Sequence, residues 1–209
     1  MSIETRDGTP FRAQFIVLEG IDGAGTTTQL HRVCAWFEAA GQGARATCEP
    51  TEGPIGRLIR QVLRGEITTP HDTIALLFAA DRLDHWPREI QPALDAGKVV
   101  LSDRYTGSSL AYQGTHTDAD WVRMINGHAP LPHHTFYVRC DPDVALARIA
   151  ARDGDKRELY EQRESLVRIA AAYDRIYGVT EPAQLPATII DGEASQDAVF
   201  AAITAVLTS

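Results

Sequence analysis

Short apolar runs alternate with longer amphipathic segments along this chain. The apolar runs lie at residues 14–19, 44–49, 98–105, 134–140 and 187–191, and each has the length of a buried strand. Between them, apolar residues recur at the three- and four-residue spacing of a helix. This alternation of strands and helices predicts an α/β domain, in which helices cover both faces of a parallel sheet.

Proline and capping residues mark several helix boundaries. A long helix is predicted from about His71, and Pro87 and Pro92 should bend or break it. Asp141 has the side chain of an N-cap and predicts the start of another helix. The last helix is predicted over residues 198–207.

The composition is that of an ordinary globular domain, and it excludes some partners. The 209 residues are enough for one core, and 44% of them are hydrophobic and 23% charged. The net charge of -8 argues against binding of a nucleic acid polymer, which needs a basic surface. A small anionic ligand is still compatible with this charge, because a local cluster of donors can bind it.

Cysteine usage and the N-terminus indicate a cytoplasmic protein that does not enter a membrane. Cys34, Cys48 and Cys140 are odd in number and widely spaced, so they indicate neither a disulfide framework nor a zinc site. A reducing compartment fits them best. No apolar run is long enough to span a membrane, and we expect the polar residues 1–12 to form a flexible tail.

The stretch GIDGAGTTTQ follows the first apolar run and matches the phosphate-binding pattern G-x-x-x-x-G-K-[ST] except at the lysine. Its glycines allow a tight turn whose N–H groups, with the positive end of the next helix, can hold phosphate oxygens. The hydroxyl of Thr27 stands where such loops reach a magnesium ion. The alternative is a glycine-rich turn without a ligand. The predicted ATP-binding residues are Gly20, Gly23, Ala24, Gly25, Thr26, Thr27 and Thr28.

Thr26 occupies the position of the loop lysine and offers a hydroxyl without a charge. Loss of a charge-assisted hydrogen bond in a desolvated site costs about 2–4 kcal/mol, so fast chemistry requires another cation. The segment ARDGDKRELYEQR supplies Arg152, Lys156, Arg157 and Arg163 as candidates, and residues 152–160 could close over a nucleotide as a lid. A solvated surface loop is the alternative interpretation of this segment.

Charged residues follow the strands at the edge of the sheet where α/β proteins bind ligands. Asp103, after VVLS, is placed to support a magnesium shell, and Arg104 beside it can clamp a phosphate. Asp22 lies within the glycine loop, so its carboxylate could face both phosphates and metal. The alternatives are an ion pair at a strand end for Asp103 and Arg104, and a turn-forming aspartate for Asp22.

Phe78 and Arg82 lie four residues apart in the predicted long helix, so they share one face. An aromatic ring and an arginine on one face can stack on a flat base and hydrogen-bond to it. The alternative is a core phenylalanine beside a surface arginine. Glu49, after the second apolar run, could orient an arginine or face solvent.

Taken together, several stretches resemble the thymidylate kinase family. They are FIVLEGIDGAGTTTQ, EPTEGPIGRLIR, LLFAADRLDH, VVLSDRYTGSSLAYQG, NGHAPLPHHTFYVRCDPDVALARI and IIDGEASQDAV. The order FAADR, DRY, SSLAYQG is specific to this family among phosphate-loop kinases. The resemblance implies a single domain over residues 1–209, with a doubly wound five-stranded parallel sheet of the nucleoside-monophosphate kinase type. It also implies Mg²⁺-dependent phosphoryl transfer from ATP to dTMP, giving dTDP and ADP for dTTP synthesis.

The resemblance further implies roles for individual residues. Phe78 would stack on thymine, Arg82 and Ser109 would contact opposite edges of the base, and Arg104 would clamp the monophosphate. Tyr105 would lie against the sugar, where a 2′-hydroxyl would crowd it. The implied dTMP-binding residues are Asp22, Glu49, Phe78, Arg82, Arg104, Tyr105, Ser109, Tyr112 and Gln113; the implied catalytic residues are Asp22, Arg104, Arg152, Lys156 and Arg157; the implied magnesium residues, acting partly through water, are Thr27 and Asp103.

Two positions depart from the pattern of the family. Thr26 replaces the loop lysine, and Cys48 stands before Glu-Pro, where many members have a basic residue. The loop also lacks the extra arginine of eukaryotic members, which fits bacterial-type members that take cations from the lid. The resemblance implies a homodimer. Two other functions stay open: a kinase of another deoxynucleoside monophosphate, and a kinase relative that binds nucleotides without catalysis.

Overall fold

Residues 11–153 and 159–209 are described by a computed structural model of the protein. Within these residues, five parallel strands form one sheet in the order β2-β3-β1-β4-β5. The strands are β1 (Phe15–Glu19), β2 (Ala44–Cys48), β3 (Val99–Asp103), β4 (His134–Arg139) and β5 (Thr188–Asp191). The predicted parallel sheet is confirmed, and its strands coincide with the apolar runs of the sequence.

Helices connect the strands and cover both faces of the sheet. In the described part of the chain they are α1 (Thr26–Ala39), α2 (Pro54–Leu63), α3 (His71–His85), α4 (Gln91–Asp95), α5 (Thr106–Tyr112), α6 (Ala119–Ile125), α7 (Pro142–Asp153), α8 (Leu159–Ile176) and α9 (Gln196–Leu207). The predicted N-cap of α7 is confirmed, because the carboxylate of Asp141 accepts a hydrogen bond from the N–H of Asp143 at 2.8 Å. None of the described helices is both long and apolar enough to cross a bilayer.

The central strand β1 shows why its sequence is apolar throughout. Ile16 and Leu18 are buried on one face of the sheet, in a cluster that includes Phe37 of α1. Phe15 and Val17 alternate to the other face and are buried in a separate cluster. A strand covered on both faces has no position for a polar side chain before its carboxyl end.

The glycine loop lies at the point where the order of the strands in the sheet reverses. The chain leaves the neighbouring parallel strands β1 and β3 toward opposite edges of the sheet. After β1 it continues to β2 at one edge, and after β3 it continues to β4 on the other side of β1. A crevice opens at the carboxyl ends of two such strands. Leu18 pairs with Asp103 in the parallel register, so the loop after β1 and the acidic end of β3 meet at this crevice.

Pro87 and Pro92 interrupt the long helix, as predicted. A π-helical segment, Trp86–Ile90, follows α3 directly and contains Pro87, and α4 begins at Gln91, just before Pro92. The backbone stays helical at His85 and Ile90, the residues before the two segments, so each proline lacks an N–H that would bond to the preceding turn. The helical path therefore continues with a change of type.

Two parts of the sequence prediction need correction. The sequence pattern did not indicate α5 and α6, because seven residues each are too few to show a helical period. Phe11 was expected in a flexible tail, but it is only 6% exposed, and its ring centroid lies 4.8 Å from that of Phe37. The rest of the expected tail, except Arg12, lies outside the described residues.

Candidate active site

The loop after β1 has the geometry of a phosphate cradle. It extends over residues 20–25, and α1 begins directly after it. Gly23 and Gly25 have φ values of 83° and 97°, which residues with a side chain rarely adopt. A Cβ on Gly23 would also come within 2.4 Å of the carbonyl oxygen of Ala145 in α7. Both the turn and the packing of α7 therefore require glycine at this position.

A cavity of about 680 Å³, called the donor cavity below, opens in front of this loop. It is lined by the predicted residues Asp22, Gly23, Ala24, Gly25, Thr26, Thr27, Thr28, Asp103, Arg104 and Arg152, and by others that include residues 192–196. Gly20 does not line it. Gly20, the first residue of the loop, packs against β4, where a Cβ would come within 2.8 Å of the carbonyl oxygen of Val138.

Two arginines of α7 line the donor cavity. Arg148 donates a hydrogen bond to the carbonyl oxygen of Gly192 at 2.8 Å and another to that of Gly23 at 3.4 Å. Arg152 lies in the last turn of the same helix. The sequence analysis named Arg152 but missed Arg148, although four residues separate them and therefore place them on one face of a helix.

Arg163, another predicted lid cation, contacts α7 away from the donor cavity. Arg163 forms a bidentate ion pair with Asp143, with nitrogen–oxygen distances of 2.6 and 2.9 Å. Arg163 is not among the residues that line the donor cavity. Lys156 and Arg157 lie outside the described residues. Of the two candidates that the structure describes, Arg152 is the one that lines the donor cavity.

Thr27 at the start of α1 and Asp103 at the end of β3 meet in the crevice. The hydroxyl of Thr27 donates a hydrogen bond to Oδ2 of Asp103. Oδ1 of Asp103 is buried and has no hydrogen-bond partner among the described residues. An unpartnered buried carboxylate oxygen is costly and is a reason to expect an additional ligand. Oxygen atoms are the ligands that Mg²⁺ prefers, so this pair fits the ion expected from the sequence.

Arg104 has a left-handed backbone, with a φ of 72°. This conformation costs a residue other than glycine about 1–3 kcal/mol and is concentrated at functional sites. The guanidinium of Arg104 donates to Oδ1 of Asp22 at 2.8 Å and lies 4.8 Å from the ring centroid of Tyr112. The hydroxyl of Tyr112 donates to Oδ2 of Asp22 at 3.3 Å. Burial raises the pKa of Tyr112 to about 12, so this hydroxyl keeps its proton at neutral pH.

A second cavity of about 230 Å³, called the acceptor cavity below, shares Asp22 and Arg104 with the donor cavity. It is lined by the predicted residues Asp22, Glu49, Phe78, Arg82, Arg104, Ser109, Tyr112 and Gln113, and by Pro50, Leu63 and Ser108. A further cavity of about 510 Å³ adjoins it at Leu63, Tyr112 and Gln113. The structure thus brings together residues that lie as much as 91 positions apart in the sequence, from Asp22 to Gln113.

Arg82 is not a surface arginine, because only 1% of it is exposed. Its guanidinium lies 2.6 Å from Oε2 of Glu49 and donates to the hydroxyl of Ser109 at 3.0 Å and to the side-chain oxygen of Asn126. Oε1 of Glu49 lies 3.1 Å from Nδ1 of His85, which is also buried. A buried charge has to be paired, and this network pairs it. Asn126 and His85 were missed because a single sequence does not show which polar side chains meet in a core.

Tyr105 lies in the core and not on the wall of the acceptor cavity. Its ring packs edge-on against Phe15, with ring centroids 5.0 Å apart. The guanidinium of Arg82 lies 5.2 Å from the same ring and donates to the carbonyl oxygen of Tyr105 at 2.9 Å. Tyr105 is therefore not among the residues that line the acceptor cavity, and its expected contact with a sugar stays a prediction. Tyr112 is a tyrosine that does line this cavity.

The chain is similar in sequence to a group of known proteins over most of its length. Residues 18–203 match the family model described as thymidylate kinase. A probable thymidylate kinase of Pyrobaculum calidifontis is 43% identical over 161 residues, which are 76% of this chain and 80% of that protein. A probable thymidylate kinase of Pyrococcus horikoshii is 44% identical over 147 residues, 68% of this chain and 72% of that protein. A putative thymidylate kinase of Treponema pallidum is 41% identical over 165 residues, 78% of each chain.

Proposed function

This chain belongs to the thymidylate kinase family, and on that premise we infer that it transfers a phosphoryl group from ATP to dTMP, giving dTDP and ADP. The observation that carries this inference is that the donor and acceptor cavities share Asp22 and Arg104. Direct transfer between two nucleotides requires that their phosphates meet in near-attack geometry. In this proposal, the donor nucleotide binds at the phosphate loop in one cavity and the acceptor nucleotide binds at Phe78 in the other, on either side of these shared residues.

The acceptor cavity has the groups needed to hold a pyrimidine deoxynucleotide. Phe78 offers a ring for stacking, and Arg82 offers donors at the edge of the base. The ion pair with Glu49 and the hydrogen bond to Asn126 hold Arg82 in one orientation. A fixed buried donor discriminates against bases that leave it unpaired. In this proposal, Tyr112, which lines the acceptor cavity, lies beside the sugar.

Positioning and charge neutralisation are sufficient for the chemistry. A phosphate monoester is largely ionised at pH 7, since its second pKa is about 6, so no strong base is needed. Arg104 exchanges its bond to Asp22 for bidentate hydrogen bonds to the acceptor phosphate, while the Tyr112 ring keeps its guanidinium in place. The loop N–H groups hold the donor phosphates, and Arg148 and Arg152 offset the charge that develops in the same cavity.

Mg²⁺ is part of this proposal. The groups that would hold it, partly through water, are the hydroxyl of Thr27 and the unpartnered Oδ1 of Asp103. When bound, the ion would supply positive charge against the outer phosphates of the donor.

A coupled assay of ADP release tests the proposed activity. With ATP and Mg²⁺, the purified protein should release ADP on addition of dTMP, and chromatography should show an equal amount of dTDP. Faster turnover of dUMP, dCMP or dGMP would indicate a kinase of another deoxynucleotide. Binding of dTMP and ATP with no dTDP, whatever the divalent cation, would refute catalysis.

We propose that Arg152 compensates for the missing loop lysine. Thr26 lines the donor cavity without a charge, and Arg152 lines the same cavity. Arg152→Ala is expected to lower kcat about 100-fold, because a charged donor to the moving phosphoryl group is lost. Thr26→Lys should preserve or raise kcat, and the double variant should recover most of the loss. The measurement is kcat at saturating dTMP and ATP.

Arg163→Ala is the matched control, since Arg163 pairs with Asp143 and does not line the donor cavity. Its kcat should stay within about twofold of that of the unmodified protein, as for other exposed ion pairs. An unchanged kcat in Arg152→Ala, or a double variant as slow as Arg152→Ala, would show that Arg152 does not replace the lysine.

We also propose a cytoplasmic homodimer that associates through α3. Leu76 and Leu83 lie two helical turns apart on this helix and are 49% and 43% exposed. Sedimentation equilibrium should give twice the mass of the 22.9 kDa chain, and a Leu76→Glu/Leu83→Glu variant should sediment as a monomer. A monomeric unmodified protein at all concentrations would contradict the dimer.

A further inference from the structure

Glu19 is the last residue of β1 and directly precedes the phosphate loop, but its side chain is bonded to the segment after β3. The carboxylate is fully buried. Oε1 accepts hydrogen bonds from the backbone N–H groups of Tyr105 at 3.0 Å and Ser108 at 3.2 Å. Oε2 accepts from the hydroxyls of Ser108 at 2.5 Å and Tyr173 at 3.1 Å. Glu19 is not among the residues that line the donor or the acceptor cavity.

The hydrogen bonds that Glu19 accepts replace the N-terminal side-chain cap that α5 lacks. Tyr105 occupies the N-cap position, and no side-chain cap bond comes from it. The first N–H groups of a helix have no partner within the helix, and a local cap residue usually binds one of them. Here the carboxylate at the end of β1 binds the N–H of Ser108. The start of α5 is therefore attached to the strand that leads into the phosphate loop.

Three hydrogen bonds hold the backbone around Arg104, and Glu19 accepts one of them. The N–H of Arg104 donates to the carbonyl oxygen of Leu18 at 2.9 Å, and its carbonyl oxygen accepts from the hydroxyl of Ser102 at 2.8 Å. The bond from the N–H of Tyr105 to Glu19 fixes the next peptide. The guanidinium of Arg104 also lies 3.5 Å from the Ser108 hydroxyl that Glu19 binds.

We propose that Glu19 is a positioning residue for Arg104. The hydrogen bonds that Glu19 accepts from the backbone after β3 set the affinity of the enzyme for the acceptor phosphate. The proposal rests on the proposed function, which assigns the acceptor phosphate to Arg104. Because Glu19 adjoins Gly20, one side chain also fixes the distance between the acceptor arginine and the donor loop. Catalysis depends on that distance, since misplacement by about 1 Å costs on the order of 100-fold in rate.

The test compares Michaelis constants for the two substrates. Glu19→Ala is expected to raise KM for dTMP about 10- to 100-fold and to change KM for ATP less than about threefold. Glu19→Gln should restore KM for dTMP to within about threefold of its original value, because the amide oxygen can still accept from the two N–H groups. Ile203→Ala is the control, since it removes a core side chain on the opposite face of the sheet. It should lower Tm and leave both Michaelis constants unchanged.

Burial of Glu19 also gives the stability of the protein a pH dependence. Burial raises the pKa of Glu19 above its ordinary value of 4.5, and the ionisable groups that face it are Arg104, Tyr173 and Tyr177. A raised carboxyl pKa gives stability that is complete below pH 4.5 and is lost as pH rises through the pKa of the folded state. Relative to the unmodified protein, Glu19→Gln should therefore become more stable as pH rises from 4.5.

Several results would overturn the proposal. One is a KM for dTMP in Glu19→Ala that is unchanged, and another is a rise in both Michaelis constants that Glu19→Gln does not reverse. If Glu19→Ala does not fold, Glu19→Asp, which is shorter by one methylene, is measured in the same way.

A crystal structure provides a readout without substrate: the φ of Arg104 should leave the left-handed region in Glu19→Ala, and a φ that stays near 72° would refute the role of Glu19. If the unmodified protein binds no dTMP in calorimetry, the proposed function fails, and this readout still decides the role of Glu19.

Discussion

Arg104→Met is expected to lower kcat/KM for dTMP by about 100- to 1000-fold, while KM for ATP stays within about threefold. The guanidinium of Arg104 lies at the boundary of the donor and acceptor cavities, and Asp22 and the ring of Tyr112 hold it there. Loss of one preorganised donor to a developing negative charge has an effect of this size. The measurement is steady-state kinetics in the coupled assay, with dTMP varied at saturating ATP.

Arg88→Met is the matched control for Arg104→Met. Arg88 forms an ion pair with Asp84 at 2.6 Å, but it is exposed and lines neither cavity. Exposed pairs of this kind contribute little, so kcat/KM should stay within about twofold. A loss of less than about tenfold in Arg104→Met would show that Arg104 does not clamp the acceptor phosphate.

Arg82→Met is expected to lower the free energy of unfolding by about 3–5 kcal/mol, because it leaves the carboxylate of Glu49 buried without its partner. The ion pair between Arg82 and Glu49 is buried on both sides, and Arg82 also bonds to Ser109 and Asn126. The measurement is equilibrium unfolding in urea at neutral pH. Calorimetry on the same variant should show that dTMP binding is lost.

A second substitution distinguishes the cost of an unpaired buried charge from the cost of lost packing. In the double variant Arg82→Met/Glu49→Gln no carboxylate is left unpaired, so it should be clearly more stable than Arg82→Met alone. Both variants should still bind ATP, because neither residue lines the donor cavity. A loss below about 1 kcal/mol in Arg82→Met, or a double variant less stable than the single one, would contradict this account of the network.

The strands, most helices and the phosphate loop could be predicted from the sequence because their signals are local. An apolar run such as FIVLE needs no partner to indicate a strand covered on both faces. The spacing of Gly23 and Gly25 reflects positive φ values, which are a property of each residue by itself. The motifs around Phe78 and Arg104 indicated the family in the same way, since a motif is a string of neighbouring residues.

The tertiary structure decided which side chains meet. Whether Tyr105 or Tyr112 lines the acceptor cavity depends on how α5 packs, and packing brought Tyr105 into the core. Arg148 was brought to the donor cavity in the same way, and Glu19 to the first turn of α5.

The sequence by itself therefore determined the five strands, the longer helices, the glycine loop and the family of this protein. Only the tertiary structure decided which groups pair with a buried charge. The guanidinium of Arg82 donates to Asn126, and the carboxylate of Glu49 lies beside the ring of His85. The physical reason is that backbone propensity and hydrophobic period act over a few residues. Desolvation and pairing of polar groups, in contrast, depend on every segment that the fold brings within hydrogen-bonding distance.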